Sequence, residues 1–275
     1  MVPTTHNASP NTASHDDAVW PEQPAALACV PAQMYIEEHP GRELTTVWLH
    51  HGIGSTRAWD SLLPAAADGR RAIAYDRNGF GRSPHDRDFT TAMFDEDVED
   101  LRTLLTERRT GPVHLVGHSD GGTVALLLAA RAPTLVASVA VAAVHVRGDP
   151  VTLATLRAMG PPTEWPEAMQ HSLERAHGAD WADVAGRWRD LWIAPAWARW
   201  SAVDELGSIR CPVLAVHGLH DDLSPPLHAK TILDIVPRAR AAWVDTATHD
   251  PHRADVEHFT AGLRSLWAEA EAVHR

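Results

Sequence analysis

Residues 113–122, Val-His-Leu-Val-Gly-His-Ser-Asp-Gly-Gly, hold a serine in a setting that suits nucleophilic catalysis. An apolar strand pattern runs into Gly-His-Ser-Asp-Gly at 117–121, and an apolar helix pattern follows at 123–130. In such a strand–turn–helix unit the turn forces Ser119 into a strained backbone conformation, and the flanking glycines remove the Cβ clashes. The Ser119 hydroxyl would then stand at the helix N-terminus, whose positive partial charge stabilises an oxyanion. A serine at a helix start can also serve only as an N-cap. Whether Ser119 is a nucleophile therefore depends on whether the chain supplies a base and an acid to act with it.

A serine nucleophile needs a general base, and the base needs an acid that orients it. Two later segments offer these groups in the order serine, acid, histidine that this kind of turn calls for. The first contains Asp221 and Asp222, and the second contains His249 and His252. Each segment follows an apolar strand pattern, and sites in open α/β sheets form at the carboxyl ends of strands.

Strand and helix patterns alternate along most of the chain. Apolar strand patterns cover 34–38, 45–50, 71–75, 113–116, 136–144, 211–218 and 241–244, and helix patterns cover about 58–67, 93–109, 123–130, 227–235 and 254–270. The strands are apolar throughout, which is typical of strands buried on both faces. We therefore predict an α/β fold with a mostly parallel, doubly wound sheet and helices on both faces.

The alternation stops between about residues 147 and 200. This segment has a helical pattern without strands and carries six of the eleven tryptophans. We predict a flexible tail at 1–25, a core at 26–146 and 201–275, and a helical cap at 147–200. Trp188 and Trp192 are four residues apart, which places them on one helix face. Such a face packs on the core, but under a cap it can also line an apolar substrate pocket, so both residues are substrate-binding candidates.

Composition restricts the partners. The formal net charge of −12 argues against nucleic acid and anionic membranes, so we expect a small-molecule substrate. Cys29 and Cys211 do not have a metal-ligand spacing, and two cysteines do not make a disulfide framework. We expect reduced thiols, no metal and no cofactor. The first residues lack a signal-peptide pattern and no apolar run reaches membrane-spanning length, which favours a cytoplasmic protein. The alanine- and arginine-rich composition suggests a bacterial source, and the oligomeric state stays open.

With these motifs assembled, the chain resembles the α/β-hydrolase fold family from about residue 30 to its end. The likeness is to the serine-nucleophile, esterase-like branch with a helical cap. It is carried by the His-Gly pair at 51–52, the Asp-x-x-Gly-x-Gly-x-Ser turn at 76–83, the serine turn at 117–121, the Gly-x-x-Asp at 218–221 and the histidine loop at 245–252.

The resemblance implies a role for each matched residue. Ser119 is the nucleophile, His249 the base and Asp221 the acid, with Asp222 and His252 as the competing residues. The backbone N–H groups of Ile53 and Asp120 would form the oxyanion hole.

The Asp120 side chain departs from the commonest pattern, in which an apolar residue follows the nucleophile. Its carboxylate is explained either by favourable placement at a helix N-terminus or by a contact with substrate.

The implied activity is hydrolysis of a carboxylic ester, lactone or thioester of a small apolar or aromatic substrate through an acyl-enzyme. Two alternatives use the same fold: hydrolysis of a carbon–carbon bond in a β-diketone-like compound, and a non-hydrolytic acyltransferase or cyclase. Fold alone does not separate them.

Overall fold

The computed structural model describes residues 34–67 and 69–272. The predicted tail at 1–25 and Cys29 lie outside the described residues. Cys211 is partly buried, and burial raises the pKa of its thiol to about 11.

The described residues form a seven-stranded sheet in the spatial order β1-β3-β2-β4-β5-β6-β7. The strands are β1 (Ile36–His39), β2 (Glu43–Leu49), β3 (Arg70–Tyr75), β4 (Val113–His118), β5 (Val136–Ala142), β6 (Val213–Gly218) and β7 (Ala239–Val244). Strand β1 pairs antiparallel with β3, and every other pairing is parallel. The predicted mostly parallel sheet is confirmed.

Helices connect these strands. They are α1 (Leu63–Ala66), α2 (Met93–Glu107), α3 (Asp120–Arg131), α4 (Pro150–Ala158), α5 (Glu167–His177), α6 (Trp181–Ile193), α7 (Val203–Leu206), α8 (Leu227–Ile235), α9 (Pro251–Ala254) and α10 (Val256–Ala272). Neighbouring side chains of a strand reach two different apolar clusters, because successive side chains point to opposite faces of a sheet. In β2, Val47 and Leu49 join the cluster that includes α2 and α3, whereas Trp48 joins the cluster that includes α10. Both faces of the sheet are thus covered, as predicted.

Two predicted helices differ from the observed ones. The helix expected at about 58–67 is a 3₁₀ turn at Thr56–Trp59 followed by the short α1. The final helix is divided between α9 and α10 by Asp255, whose backbone is not helical. The Asp255 carboxylate accepts a hydrogen bond from the N–H of His258 at 3.0 Å and so caps α10.

The segment between β5 and α7 contains helices and no strand among its described residues. Its two ends meet at an antiparallel bridge between Arg147 and Ser201. The Gly148 N–H donates to the Trp200 carbonyl at 2.8 Å, and the Ala202 N–H donates to the Val146 carbonyl at 2.9 Å. The segment therefore leaves the sheet layer and returns to it at one place.

Across 34–67 and 69–272, none of the helices combines the length with the apolar character needed to cross a bilayer.

Candidate active site

Ser119 occupies a sharp turn between β4 and α3. Its φ is 52° and its ψ is −120°, a conformation that costs free energy for a residue with a Cβ. The turn is tight enough to require glycine on both sides. A Cβ on Gly117 would lie 2.4 Å from the Gly121 carbonyl oxygen, and a Cβ on Gly121 would lie 2.4 Å from the Leu49 carbonyl oxygen. The turn is therefore held by backbone packing against β2.

The Ser119 hydroxyl lies 3.0 Å from Nε2 of His249. On the other side of that ring, Nδ1 lies 2.9 Å from Oδ2 and 3.1 Å from Oδ1 of Asp221. The backbone N–H groups of Leu223 and Ser224 donate to Asp221 Oδ1 at 3.0 and 2.8 Å, so the carboxylate is fixed in place. Three residues from three separate loops thus form one hydrogen-bonded chain.

The two competing residues lie elsewhere. Asp222 is exposed, and its carbonyl accepts a hydrogen bond from the Thr155 hydroxyl. His252 is buried beside His118, and neither of its ring nitrogens has a hydrogen-bond partner among the described residues. The geometry therefore favours His249 and Asp221.

The electrostatics of this pair suit proton transfer. Burial alone would lower the pKa of His249, but the hydrogen bond and charge of Asp221 outweigh it, so the His249 pKa lies above its usual value. Burial would likewise raise the pKa of Asp221, but the bond to His249 outweighs it and the Asp221 pKa is lowered. Asp221 therefore stays ionised and stabilises a protonated His249.

Further histidines surround His249. The rings of His118 and His145 lie 5.1 and 6.0 Å from the His249 ring, centroid to centroid. Burial, followed by the charge of His249, lowers the pKa of His118 to about 4, and burial holds the pKa of His145 well below its usual range. His118 Nε2 lies 2.7 Å from the His249 carbonyl oxygen, so this neutral ring donates to the backbone of the loop that carries His249.

One group of described residues has a spacing that could hold a metal ion. Donor atoms of His118, Asp250 and His252 lie within 4.8 Å of one another. We assign no metal to this group, because the His118 Nε2 is already engaged by the His249 carbonyl and Asp250 is exposed.

The loop at residues 50–54 lies beside Ser119 and is held by side chains of other segments. The His51 carbonyl accepts hydrogen bonds from His50 Nδ1 at 2.7 Å and from the Arg77 guanidinium at 3.2 Å. The Ile53 carbonyl accepts a hydrogen bond from Nε2 of His177 at 2.9 Å. These bonds fix the path of the loop, and His51, Gly52 and Ile53 line the cavity at Ser119.

The side chain of Asp120 is fully buried and does not line that cavity. Its Oδ2 accepts a hydrogen bond from the Trp188 indole N–H at 2.9 Å and lies 4.0 Å from the Arg77 guanidinium. Burial raises the Asp120 pKa. The carboxylate therefore links α3 to α6 of the inserted segment, a role that neither sequence-based explanation anticipated.

A cavity of about 160 Å³ opens above Ser119. Its floor includes Gly52, Ile53 and His249, and its upper wall comes from apolar side chains of the inserted segment: Leu156, Met159, Trp165, Met169 and Trp188. Trp192 lies deeper, with its ring fully buried against Trp197. It lines only a space of about 20 Å³ next to Ser119. The structure thus brings Trp188 to the main cavity and Trp192 behind it.

Sequence reasoning missed several residues of this site. His177 is 58 residues from Ser119 in the chain, and it supports the loop at 50–54 only because α5 packs over that loop. His118 could have been suspected, since it directly precedes Ser119, but its partner was not visible in the sequence. No pattern linked Trp188 to Asp120.

Comparisons with known proteins agree with this architecture. A family model described as alpha/beta hydrolase fold matches residues 45–187. The Mus musculus protein named serine hydrolase BPHL is 28% identical over 196 residues, which is 68% of this chain and 66% of that protein. The chain thus spans just under two thirds of the length of that relative.

Two further proteins cover more of the chain. The pimeloyl-[acyl-carrier protein] methyl ester esterase of Neisseria meningitidis is 28% identical over 249 residues, 80% of this chain and 76% of that protein. The solved structure of a thermophilic esterase from Thermogutta terrifontis superposes with a TM-score of 0.69 at 22% identity, covering 88% of this chain and 96% of the other. At that identity the likeness concerns the fold.

Proposed function

The chain belongs to the alpha/beta hydrolase fold family, and from that membership we propose that it is a serine hydrolase. Its substrate is a carboxylic ester, lactone or thioester of a small apolar or aromatic compound, and it reacts through an acyl-enzyme. The observation that carries the proposal is the hydrogen-bonded chain from the Ser119 hydroxyl through His249 to Asp221. The BPHL relative is named a serine hydrolase and the Neisseria relative an ester esterase, which supports the same reaction class.

In the proposed reaction His249 takes the proton of Ser119 as the oxygen attacks the substrate carbonyl. The resulting imidazolium is stabilised by Asp221, which accepts the Nδ1–H and keeps Nε2 facing the serine. His249 then gives its proton to the leaving alcohol or thiol as the acyl-enzyme forms. A water molecule, deprotonated by His249, attacks the acyl-enzyme, and His249 then returns this proton to the Ser119 oxygen as the acid is released.

The oxyanion of each tetrahedral intermediate would be held by the N–H groups of Ile53 and Asp120. Asp120 is the first residue of α3, where N–H groups have no partner within the helix. Ile53 lines the cavity with Ser119, and its carbonyl is held away by His177. Each donor of this kind stabilises the transition state by about 2.7–4 kcal/mol.

The cavity supports the proposed class of substrate. Its wall is built mainly from apolar side chains, and a few polar groups converge at Ser119, as is usual for small-molecule sites. The segment 147–200 supplies that wall, so we propose that it acts as the cap of the active site and that Trp188 contacts the substrate.

The first test is labelling by a fluorophosphonate, a reagent that phosphonylates activated serines, read by intact mass on the wild type and on Ser119→Ala. We expect one adduct on the wild type and none on the variant. A panel of small esters, thioesters and β-diketones then assigns the bond that is cleaved. A wild type that gains no adduct and hydrolyses no ester would refute the proposal, whereas turnover of the β-diketones alone would favour carbon–carbon hydrolysis.

A further inference from the structure

A second cavity, of about 250 Å³, adjoins the cavity at Ser119. The two share His51, Ile53 and Met169 as lining residues, so both border the loop at 50–54 and helix α5. Its walls are more polar than those of the catalytic cavity. It is not needed for the reaction described above, which takes place at Ser119.

Three arginines from distant parts of the chain line this second cavity. Arg57 follows the loop at 50–54, Arg175 lies on α5, and Arg253 lies on α9, next to the loop that carries His249. Asp60 is the one carboxylate among the described residues that line it. We call this space the arginine cavity. An excess of positive charge here is notable because the whole chain has a formal net charge of −12.

Two of these arginines are available to a ligand. Arg57 and Arg175 are exposed, and neither forms an ion pair within the described residues, although many other arginines of the chain do. Arg253 donates to the carbonyl of Ala58, the residue after Arg57, at 2.7 Å, which fixes its guanidinium at the edge of the cavity. Arg253 also forms an ion pair with Asp250 at 3.8 Å.

We propose that the substrate carries a carboxylate or phosphate group, and that the arginine cavity binds this group while the scissile carbonyl lies at Ser119. This inference rests on the proposed function. A guanidinium offers several N–H donors in a planar fork that matches the oxygens of both anions. Arginines that converge without enough carboxylates to balance them repel one another, and an anion between them relieves that repulsion.

Helix α5 shows how the two ends of the substrate would be separated. Met169 on this helix lines both cavities, whereas Arg175, six residues later, lines only the arginine cavity. Six residues correspond to about 9 Å of helix rise. The substrate would therefore have an apolar part near Met169 and Trp188 and an anionic end several bonds from the carbonyl that reacts.

The test compares matched ester pairs. The first pair is the p-nitrophenyl hemi-ester of adipic acid, which ends in a carboxylate, and its methyl ester, which is neutral. The second pair replaces the hemi-ester by a p-nitrophenyl ester that ends in a phosphate, so that a preference for phosphate is distinguished from a preference for carboxylate. We expect the wild type to favour an anionic member by about tenfold or more in kcat/KM, through a lower KM, since hydrogen bonds to charged groups are strong.

Two substitutions remove the charge while keeping an unbranched apolar chain, Arg57→Met and Arg175→Met. We expect the ratio of kcat/KM between anionic and neutral esters to fall by about tenfold in the double variant. Arg199→Met is the matched control, because Arg199 is exposed and lies outside both cavities; its ratio should equal that of the wild type. The preference should also weaken as salt rises, because exposed charges are screened.

The outcomes separate this inference from the proposed function. A wild type that is labelled at Ser119 and hydrolyses neutral esters, but shows no preference for either anion, refutes the proposal that the arginine cavity binds an anionic group and leaves the proposed function intact. A preference that survives in the double variant also refutes it. A wild type that is neither labelled nor active on any ester refutes the proposed function and this inference together.

Discussion

Trp188, on the inserted helix α6, donates its indole N–H to Asp120, the residue directly after Ser119, across 2.9 Å. This bond joins the segment above the cavity to the turn that presents the serine. The other carboxylate oxygen of Asp120 has no hydrogen-bond partner among the described residues. The indole N–H therefore stabilises a carboxylate that is fully buried.

Trp188→Phe should therefore destabilise the protein. Phenylalanine keeps an aromatic ring but removes the N–H, and a buried acceptor without its donor costs about 1–3 kcal/mol. The free energy of unfolding, measured by urea denaturation, should fall by that amount. Trp181→Phe is the control, since Trp181 is on the same helix but only partly buried. Equal losses in the two variants would contradict the role given to the Trp188–Asp120 bond.

The neighbouring carboxylates Asp221 and Asp222 offer a matched pair for testing the acid. Asp221→Asn should lower kcat by about 10⁴-fold, because an amide cannot hold His249 in the tautomer that accepts the serine proton. Asp222→Asn should leave kcat close to that of the wild type, since Asp222 is exposed and makes no bond to His249. Steady-state kinetics on one ester test this assignment. A larger loss of kcat in Asp222→Asn than in Asp221→Asn would assign the role of the acid to Asp222.

The pH profile should report the raised pKa of His249. His249 must be neutral to accept the Ser119 proton, so kcat/KM rises with pH as His249 loses its proton. Because Asp221 raises the His249 pKa, the midpoint of this acidic limb should lie above the ordinary histidine value of about 6.5.

In Asp221→Asn the residual activity should have its acidic limb at lower pH. The favourable charge is then gone while the burial that lowers the His249 pKa remains. The measurement is kcat/KM for an uncharged ester across the acidic and neutral range. A limb that does not move between wild type and variant would show that another group titrates.

Gly52 should be intolerant of a side chain. A Cβ at this position would lie 2.2 Å from the Trp188 indole nitrogen and 2.7 Å from the Asp120 carboxylate, so Gly52→Ala must displace the loop that carries the Ile53 N–H. We expect kcat to fall by about 10²–10³, the effect of losing one oxyanion donor.

The control for Gly52→Ala is Gly186→Ala on α6, where a Cβ would meet nothing within 4 Å. Its kcat should match the wild type, and its stability should rise slightly, because alanine favours a helix more than glycine does. An unchanged kcat in Gly52→Ala would show that the loop at 50–54 does not supply a donor.

The sequence by itself indicated the sheet, the order of its strands along the chain, the serine at 119 and the two segments, at 221–222 and 249–252, that offer the proposed acid and base. Apolar runs of strand length separated by helix patterns leave few alternatives to a parallel sheet. Polar residues placed just after such strands must share one edge of it. The glycines at 117 and 121 marked the turn in the sequence, and the structure gives the reason, because a Cβ at either position would meet backbone.

Only the tertiary structure showed which of two neighbouring aspartates contacts His249. Asp221 and Asp222 have the same chemistry and differ by one position, so the choice depends on the path of a loop fixed by the Leu223 and Ser224 N–H groups. The bond between Trp188 and Asp120 and the convergence of the three arginines join segments 68 to 196 residues apart. Local patterns do not encode such contacts, because these depend on how helices pack after the sheet has formed.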